Sequence, residues 1–172
     1  MAVKASYLIT HRESDDSRRR DNLQAVLDWL TGFPEFEVIV VEQDSAPRLE
    51  NIRASAACRH FYAYNPGPFN KSWGLNFAFR QASTALLAFG DGDIIVPGAQ
   101  MAKAVEICAR AYAAVNPYRR IVDLTPDESE TVRRSAFDFT PKRAPGGTLN
   151  RDPSRPFEKH KSGRVRPIAN SA

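Results

Sequence analysis

Two carboxylates stand two residues apart at Asp91 and Asp93, with Gly92 between them. Apolar runs at 86–89 and 94–96 flank this trio, so the acidic pair interrupts a segment typical of buried chain. Adjacent carboxylates repel each other unless a cation lies between them. Their hard oxygen ligands favour Mg²⁺ or Mn²⁺, which also coordinate substrate phosphates. The pattern therefore predicts a divalent-cation site, against the alternative of an ordinary Asp-Gly turn.

Further polar residues follow other apolar runs. Thr10, Arg12 and Glu13 close the first run, and Asp44 closes the second. Arg12 can contact a phosphate or pair with an acid. Asp44 can accept hydrogen bonds from a nucleotide base or a ribose hydroxyl, or it can form an Asx turn with the next residue. His11 is interpreted as a solvated polar residue, with a role as a base as the less favoured alternative.

A third polar cluster follows the turn residues Asn65-Pro66-Gly67-Pro68 and opens a helical pattern. Asn70 is expected to cap this helix, because its side chain can accept a hydrogen bond from the first turn. A helix N-terminus beside Lys71 would attract an anion. The alternative is an ordinary helix start in which Trp73 and Phe77 only pack.

The elements that position these residues alternate along the chain. Strands are expected at 5–10, 37–42, 59–64, 84–89 and 118–124, and helical spacing covers 23–30, 75–82, 101–108 and a segment capped by Thr125. This alternation predicts an α/β fold with a mostly parallel sheet flanked by helices. Ligands of such sheets bind beyond the carboxyl ends of the strands, so the polar clusters should meet at one edge.

The formal net charge of +4 is confined to the C-terminal part of the chain. Positive and negative charges balance over 1–124, and basic residues with prolines dominate 141–172. We therefore expect an α/β domain over 1–140 and an irregular, disordered basic tail over 141–172. Nucleic-acid binding through this tail is disfavoured, because Phe157 is its one aromatic residue for stacking on bases.

Several function classes lack their motifs. The sequence has no G-x-G-x-x-G after the first strand, no phosphate-binding G-x-x-x-x-G-K-[ST] and no G-x-S-x-G, which disfavours dinucleotide-binding, P-loop and hydrolase folds. Cys58 and Cys108 form neither a metal-ligand spacing nor a disulfide framework, so a cytoplasmic location is expected. No apolar run is long enough to span a membrane.

Four blocks in this order resemble the nucleotide-binding half of inverting, GT-A-fold glycosyltransferases of family 2, particularly the galactosyltransferase-like and bacterial polysaccharide members. The blocks are 10–12, 38–45, 68–76 and 89–97, within a resemblance that covers about residues 3–124. The resemblance implies a nucleotide-diphospho-sugar transferase fold, a UDP-sugar donor, a Mn²⁺ (or Mg²⁺) ion, and transfer to a hydroxyl of a glycan or other acceptor by inverting displacement.

The same resemblance assigns roles to the polar clusters. Asp44 would contact uracil or ribose, Asp91 would approach ribose and metal, and Asp93 would bind metal. The residues expected to bind the nucleotide-sugar are Thr10, Arg12, Glu13, Asp44, Asn70, Lys71, Asn76 and Asp91; those expected to bind the metal are Asp91 and Asp93.

The sequence departs from the family in its C-terminal part, where an acceptor site and a catalytic carboxylate are expected. Beyond Asp138 the carboxylates are Asp152 and Glu158, and neither lies in an apolar or helical pattern. No general base is assigned, and the chain is expected to be a fragment, a frameshifted product or a reduced protein. The alternative function is a truncated, non-catalytic module that binds a nucleotide-sugar.

Overall fold

A four-stranded parallel sheet organises the chain. The computed structural model describes residues 4–49, 52, 58–118 and 121–134. The strands are β1 (Ala5–His11), β2 (Phe36–Asp44), β3 (Cys58–Tyr64) and β4 (Leu87–Gly90), in the spatial order β3-β2-β1-β4. All three neighbouring pairs are parallel, which confirms the predicted α/β fold. The predicted tail, 141–172, lies outside the described residues.

In the described part of the chain, four helices accompany the sheet: α1 (Arg18–Leu30), α2 (Lys71–Gln81), α3 (Gly98–Arg110) and α4 (Pro126–Arg134). Asn70 caps α2 as predicted, because its side chain accepts a hydrogen bond from the Trp73 backbone N–H. Thr125 and Glu128 form a reciprocal capping box at the start of α4. Within the described ranges, no helix is long and apolar enough to cross a membrane.

The two faces of the sheet are covered by different helices. α2 packs on one face, where Leu8, Ile39 and Ala78 belong to one apolar cluster. α1 and Met101 of α3 contribute to a larger cluster on the opposite face. All nine residues of β2 are buried, as expected for a continuous apolar run in a central parallel strand.

Two predicted strands differ from the observed ones. β4 begins at Leu87 rather than at residue 84, because the Thr84 hydroxyl is engaged with the Ser6 side chain and the Leu86 carbonyl. The strand expected at 118–124 is wrong for the described part of that range, where Ile121 makes only an isolated bridge. Tyr118 instead donates its backbone N–H to the Asn116 side chain, so the chain turns here.

One buried carboxylate stabilises the amino end of the sheet. Glu37 accepts hydrogen bonds from the Ser6 hydroxyl and the Ser83 backbone N–H, both at 2.5 Å, and pairs with Arg59 at 3.1 Å. Burial alone would raise the pKa of Glu37, but these partners outweigh it and hold the pKa below its usual value. Glu37 therefore has a structural role, at the edge opposite the polar clusters.

Candidate functional site

The strand order brings the predicted polar clusters to the carboxyl edge of the sheet. β1 is central: Thr10 pairs with Val41 of β2, and Ile9 pairs with Gly90 of β4. Residues 10–13 therefore lie between the end of β2, at Asp44, and the end of β4, before Asp91. The edge carries two openings, one on each side of β1.

The first opening, which we call the β2 cavity, has a volume of about 320 Å³. It is lined by Arg12, Glu13, Ser14, Asp15, Asp44, Ser45, Arg48, Asn65 and Pro66. The second, the β4 cleft, measures about 220 Å³. It is lined by Thr10, His11, Arg19, Asn22, Phe69, Lys71, Asp91, Gly92 and Asp93. Eight residues were predicted to bind the nucleotide-sugar, and six of them line one of these two openings. These six are Thr10, Arg12, Glu13, Asp44, Lys71 and Asp91. Asp93, predicted to bind the metal, lines the β4 cleft.

Asp44 presents an unsatisfied acceptor in the β2 cavity. The residue is only 6% exposed, and its Oδ1 accepts hydrogen bonds from the backbone N–H and hydroxyl of Ser45. Among the residues that the structure describes, its buried Oδ2 has no hydrogen-bond partner, but it forms an ion pair with Arg48 Nε at 3.6 Å. A buried polar atom of this kind is costly to leave unpaired. Oδ2 can therefore accept a hydrogen bond from a ligand in the cavity.

Arg12 holds together the loops that border this cavity. Its Nε donates to the Gln43 carbonyl at 2.7 Å, and its Nη1 and Nη2 donate to the carbonyls of Gly67 and Asn65. The planar guanidinium donates from three separate nitrogens fixed in one fork, a spread that the single nitrogen of an ammonium group does not reproduce. The structure thus gives Arg12 a positioning contact in place of the free phosphate-binding geometry considered from the sequence.

Gln43, which the sequence did not single out, connects three elements beneath the site. Its side chain is fully buried. Nε2 donates to Thr10 Oγ1 at 2.7 Å and to the Asn70 carbonyl at 2.9 Å. Oε1 accepts from Asn65 Nδ2 at 3.2 Å and from the Asn70 backbone N–H at 3.3 Å. Gln43 therefore fixes the start of α2 against β1 and β2.

Two glycines permit close approaches at this edge. A Cβ on Gly74 of α2 would lie 2.2 Å from Gln43 Nε2 and 2.3 Å from Thr10 Oγ1. A Cβ on Gly90 would lie 2.2 Å from the buried Tyr7 ring. Both distances are far below van der Waals contact, so only glycine fits without displacement of α2 or of the residues before Asp91.

The acidic pair borders the β4 cleft, where Asp91 contacts Lys71 across the opening. Asp93 is exposed. Among the described residues, no group of three or more His, Cys, Asp or Glu side chains could hold a metal ion. A cation at this place would therefore take one or two protein carboxylates, and a bound ligand with waters would complete its coordination, as is usual for Mg²⁺.

His11 is buried, and its interpretation as a solvated residue is wrong. β1 extends through His11, whose side chain is only 5% exposed. Burial lowers the pKa of His11 to about 4, although the neighbouring Glu13 carboxylate opposes this shift. Its Nε2 lies 4.0 Å from Glu13 Oε2 and has no hydrogen-bond partner within the described ranges. His11 is therefore a neutral imidazole beside the cleft at physiological pH.

The remaining predicted residues divide between the cavity and the surface. Glu13 lines the β2 cavity, but its carboxylate is occupied by the Ser14 backbone N–H and by Arg20 Nε at 2.7 Å. Asn76 is exposed on α2 and lines neither opening. Asn70 acts as the cap of α2 and contacts Gln43.

Glu42 is a further residue that the sequence interpretation missed. It is fully buried, and its Oε1 accepts the backbone N–H groups of Arg48 at 2.6 Å and Leu49 at 3.2 Å. His60 Nε2 lies 3.2 Å from the other oxygen. Glu42 thus fixes the segment that carries Arg48 to the cavity. The available signal was the run Glu-Gln-Asp at 42–44, where polar residues directly follow four β-branched ones.

Comparison with protein families gives a match over most of the chain. The model of glycosyl transferase family 2 matches residues 9–161, which is most of the chain. The match includes the ends of β1, β2 and β4, with both openings, and continues past the last described residue. No curated protein and no solved structure matches the chain significantly.

Proposed function

The chain belongs to glycosyl transferase family 2, and from this premise we propose that it binds a UDP-sugar together with a divalent cation and transfers the sugar to an acceptor hydroxyl with inversion. Membership of the family implies glycosyl transfer from a nucleotide-sugar donor to an acceptor. The identity of the nucleotide, the cation and the stereochemistry are our proposal. The observation that carries it is the buried Asp44 oxygen that accepts no hydrogen bond within the described residues, in one opening, beside the acidic pair in the next.

The nucleoside is proposed to occupy the β2 cavity. Asp44 Oδ2 would accept a hydrogen bond from uracil N3–H or from a ribose hydroxyl, which would supply the hydrogen bond that this buried atom lacks among the described residues. Arg12 and Gln43 would contribute by holding the cavity walls, through their bonds to the backbone at 65–70. This division of roles leaves Asp44 as the principal recognition residue.

The diphosphate and the cation are proposed to occupy the β4 cleft. Asp91 and Asp93 supply the hard oxygen donors that Mn²⁺ or Mg²⁺ prefers, and the α2 N-terminus with Lys71 supplies positive charge for an anion. When bound, the cation would stabilise negative charge on the leaving diphosphate. His11, buried and neutral, would add a polar wall without adding charge.

Transfer also requires a base that takes the proton of the acceptor hydroxyl. In the described part of the chain, the carboxylates that line the β4 cleft are Asp91 and Asp93, and both are proposed to serve the donor. This observation favours a second candidate function, a module that binds the nucleotide-sugar without transferring it.

The class of acceptor and the cellular location are proposed from the sequence blocks and from the cysteines, respectively. The blocks resemble galactosyltransferase-like and bacterial polysaccharide enzymes, so we propose a glycan as the acceptor. Cys58 and Cys108 are both free thiols, which is in keeping with the proposed cytoplasmic location.

Nucleoside recognition can be tested with uridine and cytidine as probes. Asp44→Asn should weaken uridine binding about tenfold, since hydrogen bonds to charged groups contribute about 1.5–3 kcal/mol. Asp28→Asn, near the C-terminal end of α1 and outside both openings, is the matched control and should bind like the parent protein. Cytosine has no hydrogen on N3, so weaker cytidine binding would assign the contact to the base. Equal uridine affinity in Asp44→Asn and the parent would refute the assignment.

Transfer and simple binding are separated by a turnover assay. The protein is incubated with UDP-sugars, Mn²⁺ and glycan acceptors, with UDP release and the anomeric configuration of the product followed by NMR. Acceptor-dependent UDP release with an inverted anomeric centre supports the transferase. UDP-sugar binding without release supports the binding module, and a retained configuration contradicts the proposed displacement.

A further inference from the structure

Lys71 and Asp91 form an ion pair across the β4 cleft. Lys71 is the first residue of α2, and Asp91 is the first residue after β4. The Lys71 ammonium contacts Asp91 Oδ1, although the two residues are 20 positions apart in the chain. The ammonium thus occupies one of the two Asp91 carboxylate oxygens that a divalent cation could use, and its charge would repel that cation.

The position of Lys71 is unfavourable for the helix itself. The first turn of α2 contains no acidic residue, and a cation there opposes the positive end of the helix dipole. Asp91 supplies the compensating negative charge from outside the helix. Any diphosphate in the cleft would meet the same positive charges and could replace Asp91 as their partner.

The ion pair between Lys71 and Asp91 can also be broken with little loss of stability. The side chains of Lys71 and Asp91 are 49% and 41% exposed, and ion pairs with such exposure stabilise proteins little. The buried wall of the cleft is also polar. His11 lines the cleft and its side chain is 95% buried; among the described residues its Nε2, which lies 4.0 Å from Glu13 Oε2, has no hydrogen-bond partner.

We propose that Lys71 is an exchangeable counterion that couples nucleotide binding to cation binding; this inference rests on the proposed function. Without a ligand, the ammonium holds Asp91. When a nucleoside diphosphate enters the cleft, the ammonium moves to phosphate oxygens and leaves the Asp91 carboxylate free for the cation. Lys71 is thus a positioning residue for the cation as well as a contact for the diphosphate.

Exchange predicts opposite effects on the two ligands when the ammonium is removed. Lys71→Gln loses the competitor at Asp91, so Mn²⁺ alone should bind about two- to fivefold more tightly, as expected for release of an exposed ion pair. The same variant loses a charge-assisted contact to phosphate, so metal-free UDP should bind about tenfold more weakly. A merely structural role for Lys71 would weaken both ligands together.

The experiment measures Mn²⁺ alone, by electron paramagnetic resonance of the free ion, and UDP alone, by calorimetry in a chelator. Lys103→Gln is the matched control, because Lys103 forms an exposed ion pair with Glu106 on α3, away from the cleft. Circular dichroism verifies that each variant is folded, which the exposed position of Lys71 favours.

Three outcomes are decisive. Tighter Mn²⁺ and weaker UDP in Lys71→Gln, with Lys103→Gln unchanged, support the exchange. If the parent protein binds UDP but Lys71→Gln leaves Mn²⁺ affinity unchanged or lower, the exchange is refuted and the proposed function stands. If the parent protein binds no UDP with or without Mn²⁺, the proposed function fails, and the exchange fails with it.

Discussion

Substitution of Gly74 by alanine tests whether the contacts beneath the site are rigid. The new Cβ would lie 2.2 Å from Gln43 Nε2, 2.3 Å from Thr10 Oγ1 and 3.0 Å from Thr10 Cβ. Neither neighbour can retract easily. Gln43 is fully buried with hydrogen bonds on both amide atoms, and Thr10 is a β-branched residue inside β1. The clash must therefore displace α2 or break the Gln43–Thr10 hydrogen bond.

The size of the effect follows from three contributions. Overpacking a well-filled interior costs about 1–3 kcal/mol, and loss of one buried hydrogen bond costs about 1 kcal/mol. Alanine in a helix interior returns about 1 kcal/mol relative to glycine. The net expectation is a free energy of unfolding lower by about 1–3 kcal/mol, with weaker UDP binding, because Asn70 and Lys71 begin the displaced helix.

Urea denaturation followed by circular dichroism measures this difference. Gly32→Ala is the control, since its Cβ would meet only the Trp29 carbonyl at 3.4 Å, and it should change stability by less than about 1 kcal/mol. If Gly74→Ala is as stable as Gly32→Ala and binds UDP equally well, the contacts made by Gln43 do not fix α2, and the reasoning fails.

Two further predictions concern His11, the last residue of β1, and Arg12, which follows it. His11 has a folded pKa of about 4 against an ordinary value of 6.5, so between these values the unfolded chain binds the additional proton. Above pH 6.5 His11 is neutral in both states, and its burial does not lower the free energy of unfolding. As the pH falls from 6.5 towards 4, this free energy decreases by about 3 kcal/mol. Urea denaturation at pH 4.5 and 7 should show a smaller pH dependence in His11→Asn than in the parent; an equal dependence would contradict the burial of a neutral imidazole. Arg12→Lys should lower the free energy of unfolding by about 2 kcal/mol and also weaken UDP binding, because a single ammonium nitrogen does not reproduce the three-nitrogen fork that reaches the carbonyls of Gln43, Asn65 and Gly67. Unchanged stability with weakened UDP binding would instead identify Arg12 as a direct phosphate contact.

The sequence was sufficient to predict those features of the fold that depend on residues close together in the chain. Continuous β-branched residues predicted β2, and a capping side chain predicted the start of α2 at Asn70; both are confirmed. The parallel order then follows from the alternation of strands and helices, and it places Asp44 and Asp91 at one edge. These features depend on residues close together in the chain, so composition and spacing carry them.

The sequence was insufficient where the partner is distant or is a backbone atom. Arg12 donates to carbonyls 53 and 55 positions away, and a carbonyl carries no side-chain signature. His11 is buried because β1 extends one residue further than predicted and because Glu13 lies beside it. Neither feature can be read from the polar sequence that follows Thr10. The role of Gln43 depends on its hydrogen bonds to Asn70, and these can be recognised only once the position of α2 is known. The gathering of the polar clusters at one edge of the sheet was therefore predicted from the sequence, but the residues that hold the walls of the two openings were not.

The central claim is that the acidic pair binds a cation that strengthens diphosphate binding at the β4 cleft. Calorimetry of UDP with and without Mn²⁺ tests it directly in the parent protein, in Asp93→Asn and in Glu106→Gln, a control carboxylate on α3. We predict that Mn²⁺ raises UDP affinity about tenfold in the parent and in Glu106→Gln, within the usual range of coupling between sites, and that Asp93→Asn removes most of this increase. UDP affinity that is independent of Mn²⁺, or an increase that survives in Asp93→Asn, would contradict the claim.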